Sequence, residues 1–124
     1  MKVFIADDSK VLRDHLSEML SDIEGIEIIG EAINTSDAIQ NISKKLPDIA
    51  IVDIKMPGKG GLHVLERIKH SHPDVTTIIF TNYPYHQYRE KAYESGADYF
   101  FDKSGEMDKM LATLKLLRDR EKQY

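Results

Sequence analysis

Apolar residues along this chain follow two rhythms, short continuous runs and longer stretches at the helical period. Lys2 to Ala6, Ile26 to Gly30, Ile49 to Val52, Thr76 to Thr81 and Tyr99-Phe100-Phe101 are too short for helices and are bounded by polar or turn residues. Such runs predict strands buried on both faces. Between them Leu12, Leu16, Met19, Leu20 and Ile23 recur every three or four positions. So do Ala38, Ile39, Ile42 and Leu46, then Leu62, Leu65 and Ile68, and finally Met107, Met110, Leu111, Leu114 and Leu117. Each set predicts an amphipathic helix. The punctuation agrees: Ser9 can cap the first helix and Gly25 stop it, Thr35 or Ser36 opens the second, and Pro47 ends it. Gly58, Gly60 and Gly61 form a loop before the third helix. Pro84 suits the start of a fourth over Tyr85 to Ser95, which Gly96 closes.

Five strand-then-helix units predict an α/β fold, a single (βα)5 domain over residues 1–124 with a parallel sheet. Right-handed crossovers put helices on both faces and every strand's carboxyl end on one edge, where open α/β sheets bind ligands. That edge is expected to collect Asp7, Asp8, Asp53, Thr81 and Lys103, residues far apart in the chain.

Three acids in one crevice are costly. Two unit charges about 4 Å apart at an effective dielectric near 20 repel by roughly 4 kcal/mol, so a carboxyl stays protonated or a cation joins them. Oxygen donors with no cysteine suit a hard ion such as Mg²⁺ (or Mn²⁺), which accepts one or two carboxylates and keeps positions for phosphate. Lys103 adds a mobile point charge and Thr81 a hydroxyl. Acceptor carboxylate, metal pocket, lysine and hydroxyl are the parts that phosphoryl transfer to a carboxylate needs. Each residue alone has a plainer reading. Asp53 would be a capping acid, Asp7-Asp8 a charge pair favoured by a helix dipole, Lys103 a solvated loop lysine, and Thr81 a good strand former. Their convergence favours chemistry.

Composition narrows the classes. The chain has 124 residues, 41% hydrophobic and 31% charged, enough for one core and too few for two. Without cysteine there is neither a disulfide scaffold nor a thiolate metal site. A formal net charge of −4 argues against gripping nucleic acid. No apolar run approaches the roughly 18 residues of a membrane span, and no signal peptide opens the chain, so a cytoplasmic protein is expected. The five histidines carry little signal, and His70 and His72 flank a turn without the setting of a ligand pair. The loop glycines are not a P-loop, since no Gly-Lys-Ser/Thr follows.

The set Asp7-Asp8, Asp53, Met56-Pro57, Gly61, Thr81, Gly96-Ala97 and Lys103 resembles the receiver domain of two-component response regulators, of the chemotaxis type. The resemblance spans essentially the whole chain and implies a flavodoxin-like, doubly wound sheet of order 2-1-3-4-5. It implies that Asp53 takes a phosphoryl group from a phosphohistidine on a sensor histidine kinase or phosphotransfer protein. Asp8, Asp53 and the backbone carbonyl of Lys55 would bind Mg²⁺ directly, and Asp7 largely through water. Thr81 and Lys103 would hold phosphoryl oxygens, with no enzymatic activity beyond the domain's own phosphorylation and dephosphorylation. The aromatic switch position falls on Phe100, expected to repack inward as Thr81 moves. An output partner or second copy would then meet the fourth helix, fifth strand and fifth helix, on a face including Tyr85, Tyr88 and Phe100. Ser104 follows Lys103 where many receivers have proline, so no cis bond is expected there.

With 124 residues ending just after the last helix, in the charged stretch Arg118 to Tyr124, a stand-alone regulator is expected, the alternative being the receiver half of a helix-turn-helix transcription factor cut at its linker, toward which Asp102-Lys103-Ser104 leans. Two rival classes fare worse. A metal-dependent aspartyl phosphatase would want an acid two residues after Asp53, where Lys55 stands, and a flavin-binding module would want a phosphate loop where the chain has acids.

Overall fold

Every predicted element forms in the computed structural model, which describes residues 1–121. Strands β1 (Lys2–Ala6), β2 (Glu27–Ala32), β3 (Ile49–Val52), β4 (Thr76–Thr81) and β5 (Tyr99–Asp102) alternate with helices α1 (Lys10–Ser21), α2 (Thr35–Lys45), α3 (Gly61–Ser71), α4 (His86–Glu94) and α5 (Met107–Glu121). The sheet is parallel throughout, in the order β2-β1-β3-β4-β5. That is the expected flavodoxin-like arrangement.

Alternation within each strand feeds two cores. In β3, Ala50 and Val52 face α2, α3 and α4, where Ala38, Ile42, Val64, Leu65, Ile68 and Ala92 bury. Ile49 and Ile51 face α1 and α5, against Leu16, Leu20, Met110 and Leu114. Both faces of the strand are therefore dry, and hence its unbroken apolar spelling.

Boundaries shift where local signals were weak. β2 runs two residues past Gly30, because Glu31 and Ala32 pair with Ile5 and Ala6 although the apolar run has ended. The cap of α2 is Asn34, whose side chain accepts the Asp37 N–H. α1 closes at Ser21, and Gly25, at φ 85, serves the turn into β2 instead. The charged ending stays helical to Glu121; its last three residues, 122–124, lie outside the described residues. No cis peptide bond occurs among the described residues, in keeping with Ser104 after Lys103. No described helix is long and apolar enough to cross a membrane.

The sheet's carboxyl edge is set by backbone bonds one residue past the strands. Asp7 N–H donates to Ala32 O and Asp53 N–H to Ala6 O, each at 3.0 Å, and Lys103 N–H donates to Thr81 O at 2.9 Å. The ladder itself carries the acids and the lysine to one rim.

Candidate functional site

Asp7, Asp8 and Asp53 each offer a carboxylate oxygen, and these oxygens lie within 4.8 Å of one another. Asp7 and Asp53 are buried, at 3% and 6% exposure, while Asp8 is open to solvent. Lys103 reaches across the rim. Its ammonium donates to Asp7 Oδ2 at 2.6 Å and to Asp53 Oδ2 at 2.9 Å, from a side chain only 9% exposed. The remaining oxygen of Asp7 accepts the Ser9 N–H at 2.8 Å. That of Asp53, Oδ1, is buried with no hydrogen-bond partner.

Burial pushes the Asp7 carboxyl above the usual carboxylate range and the nearby Asp53 charge adds to this, despite the Lys103 and Ser9 hydrogen bonds that oppose it. For Lys103, burial alone would depress the ammonium. The hydrogen bonds and charges of Asp7 and Asp53 outweigh it and hold the group above its ordinary value. Lys103 therefore keeps its proton, and a single ammonium stands among the three carboxyl groups of the cluster. An orphaned buried carboxylate oxygen beside two further acids, all hard oxygen donors, fits a small divalent cation such as Mg²⁺. The residues present suit the ion.

Supporting residues escaped the sequence reading. Arg13, on the second turn of α1, donates from Nη1 to the Asp7 carbonyl at 2.8 Å and stands 3.9 Å from Glu31. It braces the Asp7-Asp8 turn from behind, and no spacing rule singles out one arginine on a helix. Gly61 was legible as a loop glycine and as one of the residues of the receiver resemblance, but without a reason for its place. Its backbone lies so close to Asp53 that a Cβ there would meet the Asp53 carbonyl oxygen at 1.8 Å, and its N–H donates to Ile54 O at 2.8 Å.

Thr81 ends β4 fully buried, and its hydroxyl oxygen accepts the Tyr83 N–H at 3.1 Å. The Lys55 ammonium sits 5.3 Å from the centre of the Tyr83 ring and 5.5 Å from that of Tyr88. Both distances are within cation–π range, so the loop after Asp53 is tied to α4. Phe100 departs from expectation. Strand alternation aims it into the core with Ala92 and Ala97, at 3% exposure, with the Arg89 guanidinium 4.5 Å from its ring centre. The ring is already inside, so the expected inward repacking is not available from this state. Of the residues expected on that face Tyr85 is exposed, Tyr88 is half-buried against the core and Phe100 is buried.

The family profile of the response regulator receiver domain matches residues 3–115. Response regulator GacA of Pseudomonas syringae pv. syringae (strain B728a) is 27% identical over 117 residues, covering 94% of this chain and 55% of that protein. An uncharacterized transcriptional regulatory protein, YvfU, of Bacillus subtilis (strain 168) is 33% identical over 115 residues, covering 93% and 58%. Among solved structures, a DNA-binding response regulator of the LuxR family from Staphylococcus aureus superposes with a TM-score of 0.86 at 29% identity, covering 94% of this chain and 98% of that one. This chain spans about half the length of the curated relatives it matches. The narrower likeness to chemotaxis-type receivers is too specific, since these relatives are GacA-type and LuxR-family regulators. The chain belongs to the response regulator receiver domain family.

Proposed function

We propose that residues 1–124 work as a phosphorylation switch in which Asp53 is the phosphoacceptor. The observation that supports this best is the Lys103 ammonium joining Asp7 and Asp53 at the sheet rim, beside an Asp53 oxygen that nothing else satisfies. A carboxylate oxygen of Asp53 attacks the phosphorus of a phosphohistidine on a sensor kinase or phosphotransfer protein. The P–N bond breaks, its electron pair leaves with the imidazole, and an acyl phosphate remains. Lys103 holds an oxygen of the arriving group, and the Thr81 hydroxyl, on leaving the Tyr83 N–H, donates to another. Asp8, Asp53 and the Lys55 carbonyl would hold Mg²⁺, with Asp7 acting through water, and the ion would supply charge neutralisation for the transferring phosphoryl. The chain's catalysis is confined to its own phosphorylation and dephosphorylation, in the cytoplasm, with no nucleic acid or membrane bound by this domain.

Phosphorylation brings about −1.5 to −2 charges to Asp53. Moving Thr81 frees the Tyr83 amide, and drawing Lys55 toward the phosphoryl group frees the Tyr83 and Tyr88 rings, so α4, β5 and α5 present a changed face to an output partner or second copy. Phe100 takes part by holding Arg89, not by moving inward. Incubation with acetyl phosphate tests the assignment. Intact mass should show one phosphoryl group per chain with Mg²⁺ and none with EDTA, whereas steady hydrolysis of a phosphomonoester would mark a phosphatase instead.

Two further outcomes follow. Mg²⁺ at a hundred times its dissociation constant should stabilise the chain by about 2.7 kcal/mol. Calorimetry should show that gain vanish in Asp8→Ala. Tyr83→Ala should lose its phosphoryl group several-fold faster than the parent, because a large ring two residues past Thr81 screens the acyl phosphate from water. An unchanged decay in the mass spectrum would remove that role from Tyr83.

A second reading is favoured by the relatives: YvfU is a transcriptional regulatory protein of which this chain spans 58%, and the Staphylococcus protein is a DNA-binding response regulator, so this chain would be the receiver half of a longer regulator whose other half binds DNA. An immunoblot of the native protein at about twice the length of this chain would establish it.

A further inference from the structure

A cleft of about 430 Å³ opens between α2 and α3, beside the loop that follows Asp53. Thr35, Ile39 and Gln40 line one wall and Lys59, His63 and Arg67 the other, and no carboxylate lines either. In a chain with 21 acidic residues against 17 Lys and Arg, that local reversal of sign is unusual. Lys69, further along α3, is tied to Asp98 at 2.7 Å, whereas Lys59, His63 and Arg67 enter no ion pair among the described residues.

The three stand four residues apart. His63 and Arg67 are neighbours on one face of α3, about 6 Å apart along its axis, and Lys59 extends the row into the loop. The cleft is also pre-formed. The Thr35 N–H and hydroxyl both donate to Pro57 O at 3.0 Å, and the Gly60 N–H donates to Thr35 Oγ1 at 2.8 Å. Gly58, at φ +100, packs so closely that a Cβ there would meet the Thr35 side chain at 2.9 Å. The loop bearing Lys59 is thus stapled to the start of α2, and little ordering remains for a ligand to impose.

We infer that this cleft binds a small polyanion carrying adjacent phosphate groups. The planar fork of Arg67 suits a phosphate edge, Lys59 supplies a point charge, and Ile39 and Gln40 leave an apolar and an amide contact for the rest of the molecule. The volume lies within the roughly 300–1,000 Å³ of small-molecule sites. The cations occupy a short stretch of one wall, which suits a compact ligand over an extended acidic segment. The site is separate from the acidic cluster and shares with it only the loop from Asp53 to Gly61.

Pyrophosphate titrated into the whole chain without Mg²⁺, followed by amide NMR shifts, tests this. Shifts should concentrate at residues 35–40 and 58–67, weaken at least tenfold in Arg67→Gln and in Lys59→Gln, and stay unchanged in Lys115→Gln, an exposed lysine of α5. Spectral dispersion of each variant reports that it is folded. The inference is overturned if no shifts occur, if they fall only around Asp7, Asp53 and Lys103, or if an oligoglutamate peptide binds the same cleft more tightly than pyrophosphate.

Discussion

Gly61→Ala should destabilise the chain by about 4 kcal/mol or more, a large share of the roughly 5–15 kcal/mol that holds a small domain together. A Cβ at 1.8 Å from the Asp53 carbonyl oxygen, 2.7 Å from its carbonyl carbon and 3.0 Å from Ile54 Cα meets backbone on every side. No rotamer relieves such a contact, so the cost exceeds the roughly 1–3 kcal/mol of ordinary overpacking. Either α3 withdraws from β3 or Asp53 is pushed off the rim, and Mg²⁺-dependent stabilisation should fall with the thermal midpoint. Gly105→Ala is the control, because a Cβ there meets nothing within 4 Å. Chemical denaturation of both variants checks the prediction, and a Gly61→Ala midpoint close to the parent's would contradict the packing described.

Lys103→Met should be the most damaging side-chain change at the rim when Mg²⁺ is absent. The substitution keeps an apolar stem and deletes the one charge bridging two buried carboxylates. Removing one partner of a buried ion pair costs roughly 3–5 kcal/mol. Mg²⁺ should restore part of the loss by supplying positive charge, and phosphoryl uptake should slow even when the metal is saturating. The pH dependence has a definite sign. Asp7 is raised above its ordinary 3.8 by burial, so between that value and its folded one the folded chain holds more protons than the unfolded chain. Its contribution therefore strengthens the fold as pH falls through that window. Lys103 is raised too, so what it contributes is complete below the ordinary lysine range and is lost only as pH rises through its folded value. Without Lys103, Asp7 becomes harder still to ionise, and the deficit of Lys103→Met in EDTA should be greatest near neutrality and shrink on acidification. Parallel denaturation curves across pH would rule this out.

Much of the site is legible in the sequence because topology creates it. A parallel (βα)5 sheet sends every strand end to one rim, so the runs ending at Ala6, Val52 and Thr81 give the positions of Asp7, Asp53 and Thr81 without any contact being known. Lys103 is legible for the same reason. Arg13 was not, because what matters is its bond to a carbonyl, and a backbone acceptor leaves no mark on the sequence. The role of Gly61 depends on how closely α3 approaches β3, a distance that glycine permits and does not announce. Phe100 shows the opposite limit. Its place in β5 was clear, but a three-residue apolar run carries no alternation from which to tell its inner member, and pairing with β4 decides it. The cationic cleft was similarly hidden, since Lys59, His63 and Arg67 gain meaning only when α2 is laid beside α3.

The most direct measurement of the central claim is phosphoryl uptake from acetyl phosphate with Mg²⁺ by the parent chain and by Asp53→Ala, read side by side as intact mass. The parent should gain a single phosphoryl group and the variant none, with both folded. Uptake by the variant equal to the parent's would contradict the account, because the acceptor would then lie away from the rim where Asp7, Asp8 and Lys103 converge.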